Sequence, residues 1–226
     1  KKTGSKIGES RSEERIYLSF DDILNDLGSG KYQILVFITS SAFSFIHGME
    51  GTILSLLINN KDPQWHFSSK SEMTLFGVLV YVSYFIGSML VGPICDKFGR
   101  KRPLIIMAFL MNLFGLLSAL ALDKSALIFL RILYHIFVGF TYIVSYALLT
   151  EFSPKHNRGK LLNATKIIFI FGELFACLLS YLVLSNLENG NWPALLGFSN
   201  IPHIIGLICA VFLIDESGRY YIQKNK

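Results

Sequence analysis

Charge is scarce in this 226-residue chain: Asp, Glu, Lys and Arg together make up 16% of it, where a soluble domain carries about 25%. The charges that exist are clustered, leaving long apolar gaps that one soluble core of this size could not bury. Cysteine is scarcer still. Cys95, Cys177 and Cys209 have no C-x-x-C spacing and no neighbouring His cluster, which excludes a zinc site or a disulfide framework and leaves them as small hydrophobic residues in packed helices. No Ser-His-Asp arrangement, paired-carboxylate spacing or glycine-rich phosphate loop occurs, so neither an enzyme nor a cofactor is expected. No signal peptide precedes the first apolar run, which follows a polar segment of about 30 residues. The chain opens at Lys1 without Met, so the native N-terminus is expected upstream.

What is abundant is apolar surface. Hydrophobic residues make up 52%, and Phe alone occurs 19 times. A bilayer core needs about 20 apolar residues per helix. Six stretches qualify, at 32–59, 73–95, 103–122, 125–150, 161–186 and 192–214. The expected fold class is an all-α membrane protein, a bundle of six transmembrane helices over 32–215. A segment 1–31 precedes it, and 216–226 forms a tail or the start of a central linker. Within the first segment, 16–27 is amphipathic, which suits a place on the membrane surface, a cap on the cytoplasmic mouth or a solvated tail.

The net charge of +5 does not form a nucleic-acid-binding patch. Sixteen of the 21 Lys and Arg fall in the N-terminal segment, the loops 96–102 and 151–160, and the C-terminal tail. Only Lys61, Lys70 and Lys124 fall in the alternate connections. This asymmetry predicts a multi-pass protein of the plasma membrane or an internal membrane, with both termini cytoplasmic and the bilayer as its first partner. The sequon at Asn163 then faces the cytoplasm, where glycosylation is not expected.

Small residues at four-residue steps mark close helix packing. They are Ser83/Gly87 and Ser88/Gly92 in the second span, and Gly172, Ala176 and Ser180 in the fifth. Four ionisable residues sit inside spans, where each costs about 2.5–3.5 kcal/mol and needs a partner or a cavity. Glu50, Arg131 and Glu173 are the candidate substrate-binding residues. For Glu50 and Arg131 a structural ion pair is the alternative reading, their depths being similar enough to meet. Glu173, near mid-span, is the candidate for a buried carboxylate that exchanges a proton. Lys166 lies close enough to the cytoplasmic end to snorkel. His47, His135 and His203 are read as hydrogen-bonded core residues. Tyr81, Tyr84, Tyr134, Tyr142 and Tyr146 either line an aromatic cavity or fill the core.

Three loop motifs remain. The first is Gly92-Pro-Ile-Cys-Asp96-Lys97-Phe98-Gly99-Arg100-Lys101-Arg102. Asp96 lies at a helix C-terminus, where the dipole disfavours an anion, so it needs a cation or another helix's N-terminus. Gly99 can adopt the left-handed conformation of a tight turn. The second, Glu151-Phe-Ser-Pro154-Lys-His-Asn-Arg158-Gly159, has a helix-stopping Pro154. It also brings Glu151 and Arg158 near enough to pair with each other or with the first motif. The third is Asp215-Glu216-Ser217-Gly218-Arg219-Tyr220.

In order and position these resemble the loop signatures of the major facilitator superfamily. Asp215 stands where that family usually has Pro, which leaves the helix end less sharply defined but keeps Glu216 and Arg219. Gly28 to Gln33, Met49-Glu50 with Ile53-Leu54-Ser55, and Arg131 at the start of the fourth span resemble the branch of organic-ion transporters and synaptic-vesicle-related proteins. The resemblance implies the N-terminal half of a secondary transporter that moves a small organic solute by alternating access, with possible proton coupling. A second six-helix half would come from the same gene, a homodimer or a complex subunit. It also implies gating roles for Gly92, Asp96, Gly99, Arg100, Lys101, Glu151, Arg158, Glu216 and Arg219, with Asp96 and Arg100 helping to latch the cytoplasmic side. The alternative function is a transport-inactive structural or accessory subunit of a larger membrane complex.

Overall fold

A computed structural model describes residues 30–63, 65, 67–187 and 190–216. The amphipathic piece 16–27, the remainder of 1–29 and Arg219 with the tail 217–226 lie outside the described residues. The described helices are α1 (Lys31–Ile58), α2 (Lys70–Met89), α3 (Val91–Phe98), α4 (Lys101–Ala119), α5 (Lys124–Phe152), α6 (Lys155–Val183) and α7 (Trp192–Phe212). Helices α2 and α3 run on as one span, so six helices are long and apolar enough to cross a membrane. The expected six-helix bundle is what the chain forms.

Local chemistry sets several of the helix ends. Ser69 Oγ accepts from Glu72 N, Asp123 Oδ1 from Ala126 N, and Asn191 Oδ1 from Ala194 N, each satisfying an otherwise orphaned donor. Ser153 is extended and Pro154 opens the next helix, so α5 and α6 are separated by two residues. Because α6 starts at Lys155 rather than near 161, Lys166 lies about 16 Å along the helix from that end. This is deeper than the snorkelling position expected of it.

The pairing of spans has an internal symmetry. Span one packs on span five (α1 on α6) and span four on span two (α5 on α2); span three packs on span six (α4 on α7). Exchanging the first three spans with the last three leaves this pattern unchanged, as an internal repeat of three spans would. Glycines permit the two outer pairings. A Cβ at Gly48 would fall on the carbonyl of Phe169, and one at Gly172 on the carbonyl of Phe45. In the other pair, Gly87 faces the Ile136 carbonyl and Gly139 the Tyr84 carbonyl. Of the small-residue stripes, Ser83, Gly87, Gly172 and Ala176 are therefore buried within this chain, whereas Gly92 is exposed and meets nothing within 4 Å.

Two clusters of buried apolar side chains fill the bundle. One includes Val36, Leu104, Val144 and Leu148; the other includes Ile53, Leu57, Trp65, Leu127 and Trp192. The connections separate to two ends. At one end Asp215 N donates to Tyr32 Oη at 2.8 Å, joining the start of α1 to the segment after α7. At the other, Trp65 Nε1 donates to the carbonyl of Ala121 at 3.2 Å, and Lys124 Nζ pairs with Glu72 at 2.9 Å. Replacing Gly172 by Val should lower unfolding stability by about 1–3 kcal/mol or more, since the added atoms meet backbone rather than a movable side chain. Gly197→Ala, with nothing within 4 Å, should leave it nearly unchanged. Thermal unfolding of the two purified variants in one detergent checks this, and equal destabilisation would contradict it.

Candidate functional site

About 10–12 Å from one end of α1 and α5, and midway along α7, four polar side chains come together. Arg131 Nη1 donates to Glu50 Oε2 at 3.0 Å, with the side chains 2% and 3% exposed. His203 Nε2 lies 3.6 Å from the other carboxylate oxygen, Glu50 Oε1. The second nitrogen of that ring, Nδ1, is 2.7 Å from the carbonyl of Ser199, an acceptor, so Nδ1 carries a proton. In the neutral ring Nε2 is then an acceptor and takes the hydroxyl of Tyr134. A second proton on this ring would turn Nε2 into a donor facing Glu50. Arg131 also lies over the Tyr134 ring at 5.0 Å, while its Nε has no hydrogen-bond partner among the described residues. His135 Nδ1 donates to the carbonyl of Arg131 at 2.8 Å and holds the turn. The carboxylate therefore has a cation on one oxygen and a switchable donor near the other.

This cluster reaches open space. A cavity of about 190 Å³ between α1, α2 and α5 is lined by His47, Glu50, Gly51, Tyr81, Tyr84 and His135, among others. A larger crevice of about 530 Å³ between α1, α6 and α7 presents apolar side chains and no charged group, so it offers little to orient a polar solute.

Glu173 stands apart from the cluster. It is half-buried on α6, with no hydrogen bond or ion pair among the described residues, instead of being the buried carboxylate expected. The reason is that α6 is the least covered span, burying only Thr165, Gly172 and Ala176. Lys166, itself exposed, donates from Nζ to Tyr142 Oη at 3.3 Å and lies 5.4 Å from the centre of the Tyr146 ring. His47 stacks on Tyr84 and leans on Tyr142, with ring centroids 5.1 and 4.1 Å apart. Of the five tyrosines, Tyr84, Tyr142 and Tyr146 therefore form one aromatic wall, Tyr81 edges the cavity, and Tyr134 is core.

At one end of the bundle the three loop motifs meet. Arg100 Nη2 pairs with Glu151 Oε1 at 2.6 Å. Glu216 Oε1 accepts from the Arg100 backbone N–H at 2.6 Å and from that of Lys101 at 3.3 Å. Residue 100 supplies no cap of its own to α4, so Glu216 caps that helix from more than 100 residues away, an anion at the positive end of the dipole. Gly99 has φ 85° and ψ −176°, a backbone open to Gly almost alone, and a Cβ there would strike the Glu216 carboxylate. Lys101 Nζ lies 3.7 Å from Asp215, and Arg158 Nη2 donates to the carbonyl of Ser153 at 3.2 Å. Asp96, in the last turn of α3, is exposed and has no ion-pair partner among the described residues. The helix N-terminus it was expected to seek is occupied by Glu216 instead.

The family described as "Sugar (and other) transporter" matches residues 32–226. The chain belongs to that family. Within the major facilitator superfamily, its relatives include synaptic vesicle glycoprotein 2B of Homo sapiens, 23% identical over 95% of this chain and 32% of the relative. Organic cation/carnitine transporter 7 of Arabidopsis thaliana is 30% identical over 91% of this chain and 40% of the relative. The chain thus spans about a third of the length of the curated relatives it matches. Among solved structures, the inward-open xylose transporter XylE of E. coli superposes with a TM-score of 0.73 at 19% identity, over 85% of this chain and 50% of that one. The fucose–proton symporter fold of FucP gives 0.65 at 14% identity, over 87% and 46%. At these identities the likeness shows the fold: six helices arranged as one half of a major facilitator transporter.

Within this family fold, sequence reasoning missed two things. His203 is the hydrogen-bonded core residue expected of it, but that its second nitrogen faces Glu50 across the bundle was not foreseen. Glu216 was expected to take part in gating, but not as the cap of a distant helix. Its capping role needed Gly99, whose missing Cβ makes room for the carboxylate. Glu50→Gln should destabilise the protein by about 3–5 kcal/mol by stranding the Arg131 charge, and the Glu50→Gln/Arg131→Gln double variant should recover a large part of that loss. A double-mutant cycle of unfolding free energies in detergent measures the coupling, and additive losses would show that the two side chains do not interact.

Proposed function

We propose that this bundle is the N-terminal half of a secondary carrier that moves a small organic solute by alternating access against a second six-helix half. The observation that carries the reading is the Glu50–Arg131–His203 cluster, buried inside the bundle beside a cavity. A bundle needing only to be stable in lipid gains little from an ion pair there, because an apolar pair would cost less. Charges inside a membrane bundle are retained where they bind or relay something. Protonating Glu50 breaks its pairing and frees Arg131, so solute binding and proton uptake compete for one guanidinium. XylE and FucP, which share the fold, are named as proton symporters, which supports coupling to a proton.

The open face of α6 suits docking of the second half, and Gly92 and Asp96 lie on uncovered surface where that half would close. Arg100, Lys101, Glu151 and Glu216 form the latch at the same end, joined by Gly99 and Arg158, with Arg219 in the adjoining segment. On this reading residues 216–226 begin the linker to the second half, and both termini of the bundle face the cytoplasm.

In cells or proteoliposomes holding the full-length protein, a panel of radiolabelled sugars and organic ions should reveal a transported solute. Glu50→Gln should abolish its proton-driven accumulation, and Asp96→Ala and Glu173→Gln should slow it. Unchanged uptake in all three variants would remove these roles, and absence of transport for the whole panel would favour the accessory-subunit alternative. Orientation has its own check: an impermeant amine reagent applied to intact cells should modify Lys124 but not Lys97, and equal modification would overturn the topology.

A further inference from the structure

Lys166, exposed on the little-covered face of α6, has no opposite charge paired with it among the described residues. Glu50 is committed to Arg131 and His203, and Glu173 lies seven residues further along α6, about 10 Å by helix rise. Tyr142, to which the amine donates, is ten residues (about 15 Å) from the end of α5, at the level of Lys166 on the neighbouring helix. The position of the amine is also fixed. Tyr142 Oη accepts one of its three N–H groups at 3.3 Å, and the Tyr146 ring lies beneath it at 5.4 Å. Tyr146 is itself held by Ser44 and Thr165, at 3.3 and 2.9 Å. Two ammonium N–H donors are left over on an exposed side chain.

Two ligand classes compete for such a place. Tyrosine faces suit an organic cation, but here a cation already occupies the Tyr146 face and repels another. A carboxylate meets the opposite situation, an ammonium with two free donors and no paired counter-charge. Beside it the rings of Tyr84, Tyr142 and Phe169, each partly buried around His47, offer flat apolar edges.

We propose that Lys166, held by Tyr142 and Tyr146, is an anion subsite on the solute path, and that its ligand is a small organic acid whose carboxylate meets the amine while a planar body lies along those rings. This rests on the carrier reading above. The test uses three probes of one shape and different charge, benzoate, benzylamine and benzyl alcohol, titrated into the full-length protein in lipid nanodiscs. Benzoate should bind about tenfold more tightly than the other two, and Lys166→Gln should remove that advantage. Lys166→Arg should keep it, which separates loss of charge from loss of fold, and Tyr142→Phe should weaken benzoate several-fold. Tighter binding of benzylamine, no binding of benzoate, or benzoate affinity untouched by Lys166→Gln would each overturn the subsite. Radiolabelled benzoate uptake into proteoliposomes then tells the two ideas apart. Lys166-dependent binding without uptake upholds the subsite and counts against the carrier, while uptake indifferent to Lys166→Gln does the reverse.

Discussion

Glu50 on α1 and Arg131 on α5 meet at 3.0 Å inside an apolar bundle, and much else in the structure answers to that contact. An ionised carboxylate without a partner is not tolerable in hydrocarbon, and neither is a lone guanidinium. Each therefore constrains where the other's helix can sit. The pairing fixes the rotation of α1 relative to α5, and His203 adds α7 through the second carboxylate oxygen. Three helices are thus tied through one buried carboxylate.

The close approach that the charges need is made possible by missing side chains. Gly48 and Gly172 let α1 and α6 touch backbone to backbone, and Gly87 and Gly139 do the same for α2 and α5. Because lipid supplies no hydrophobic drive between helices, contact area and polar bonds must hold the bundle. The two glycine seams are related by exchange of the three-span repeats, as is the pairing of α4 with α7. This arrangement leaves α6 little covered and puts Lys166 and Glu173 on a surface that a second half or a solute can reach.

At the end where the loop motifs gather, a different economy applies. Arg100, Glu151 and Glu216 come from three loops far apart in sequence, yet all converge on the first turn of α4. The side chain of Glu216 replaces the local cap that Ser69, Asp123 and Asn191 provide for other helices. A cap supplied from a distant segment can be withdrawn when that segment moves, whereas a local cap cannot. The same clustering leaves Asp96 exposed and available to a surface beyond this chain.

How much of this was legible in advance follows from the range of the forces involved. Span number and alternation were readable because each span must satisfy its hydrocarbon environment by itself, residue by residue, and basic residues gather in alternate turns. Gly99 was readable because its turn is local, and the meeting of Glu50 with Arg131 was one of two open readings because depth along a helix can be counted. Rotation about the helix axis cannot be counted in that way. It decided that His203 faces Glu50, that Lys166 turns to Tyr142, and that Glu173 stays half-exposed on α6. By itself the sequence determined which segments cross the bilayer and which loops carry charge, since both depend on the chemistry of contiguous residues. Only the tertiary structure decided which charges are neighbours, because that depends on how six helices pack against one another at once.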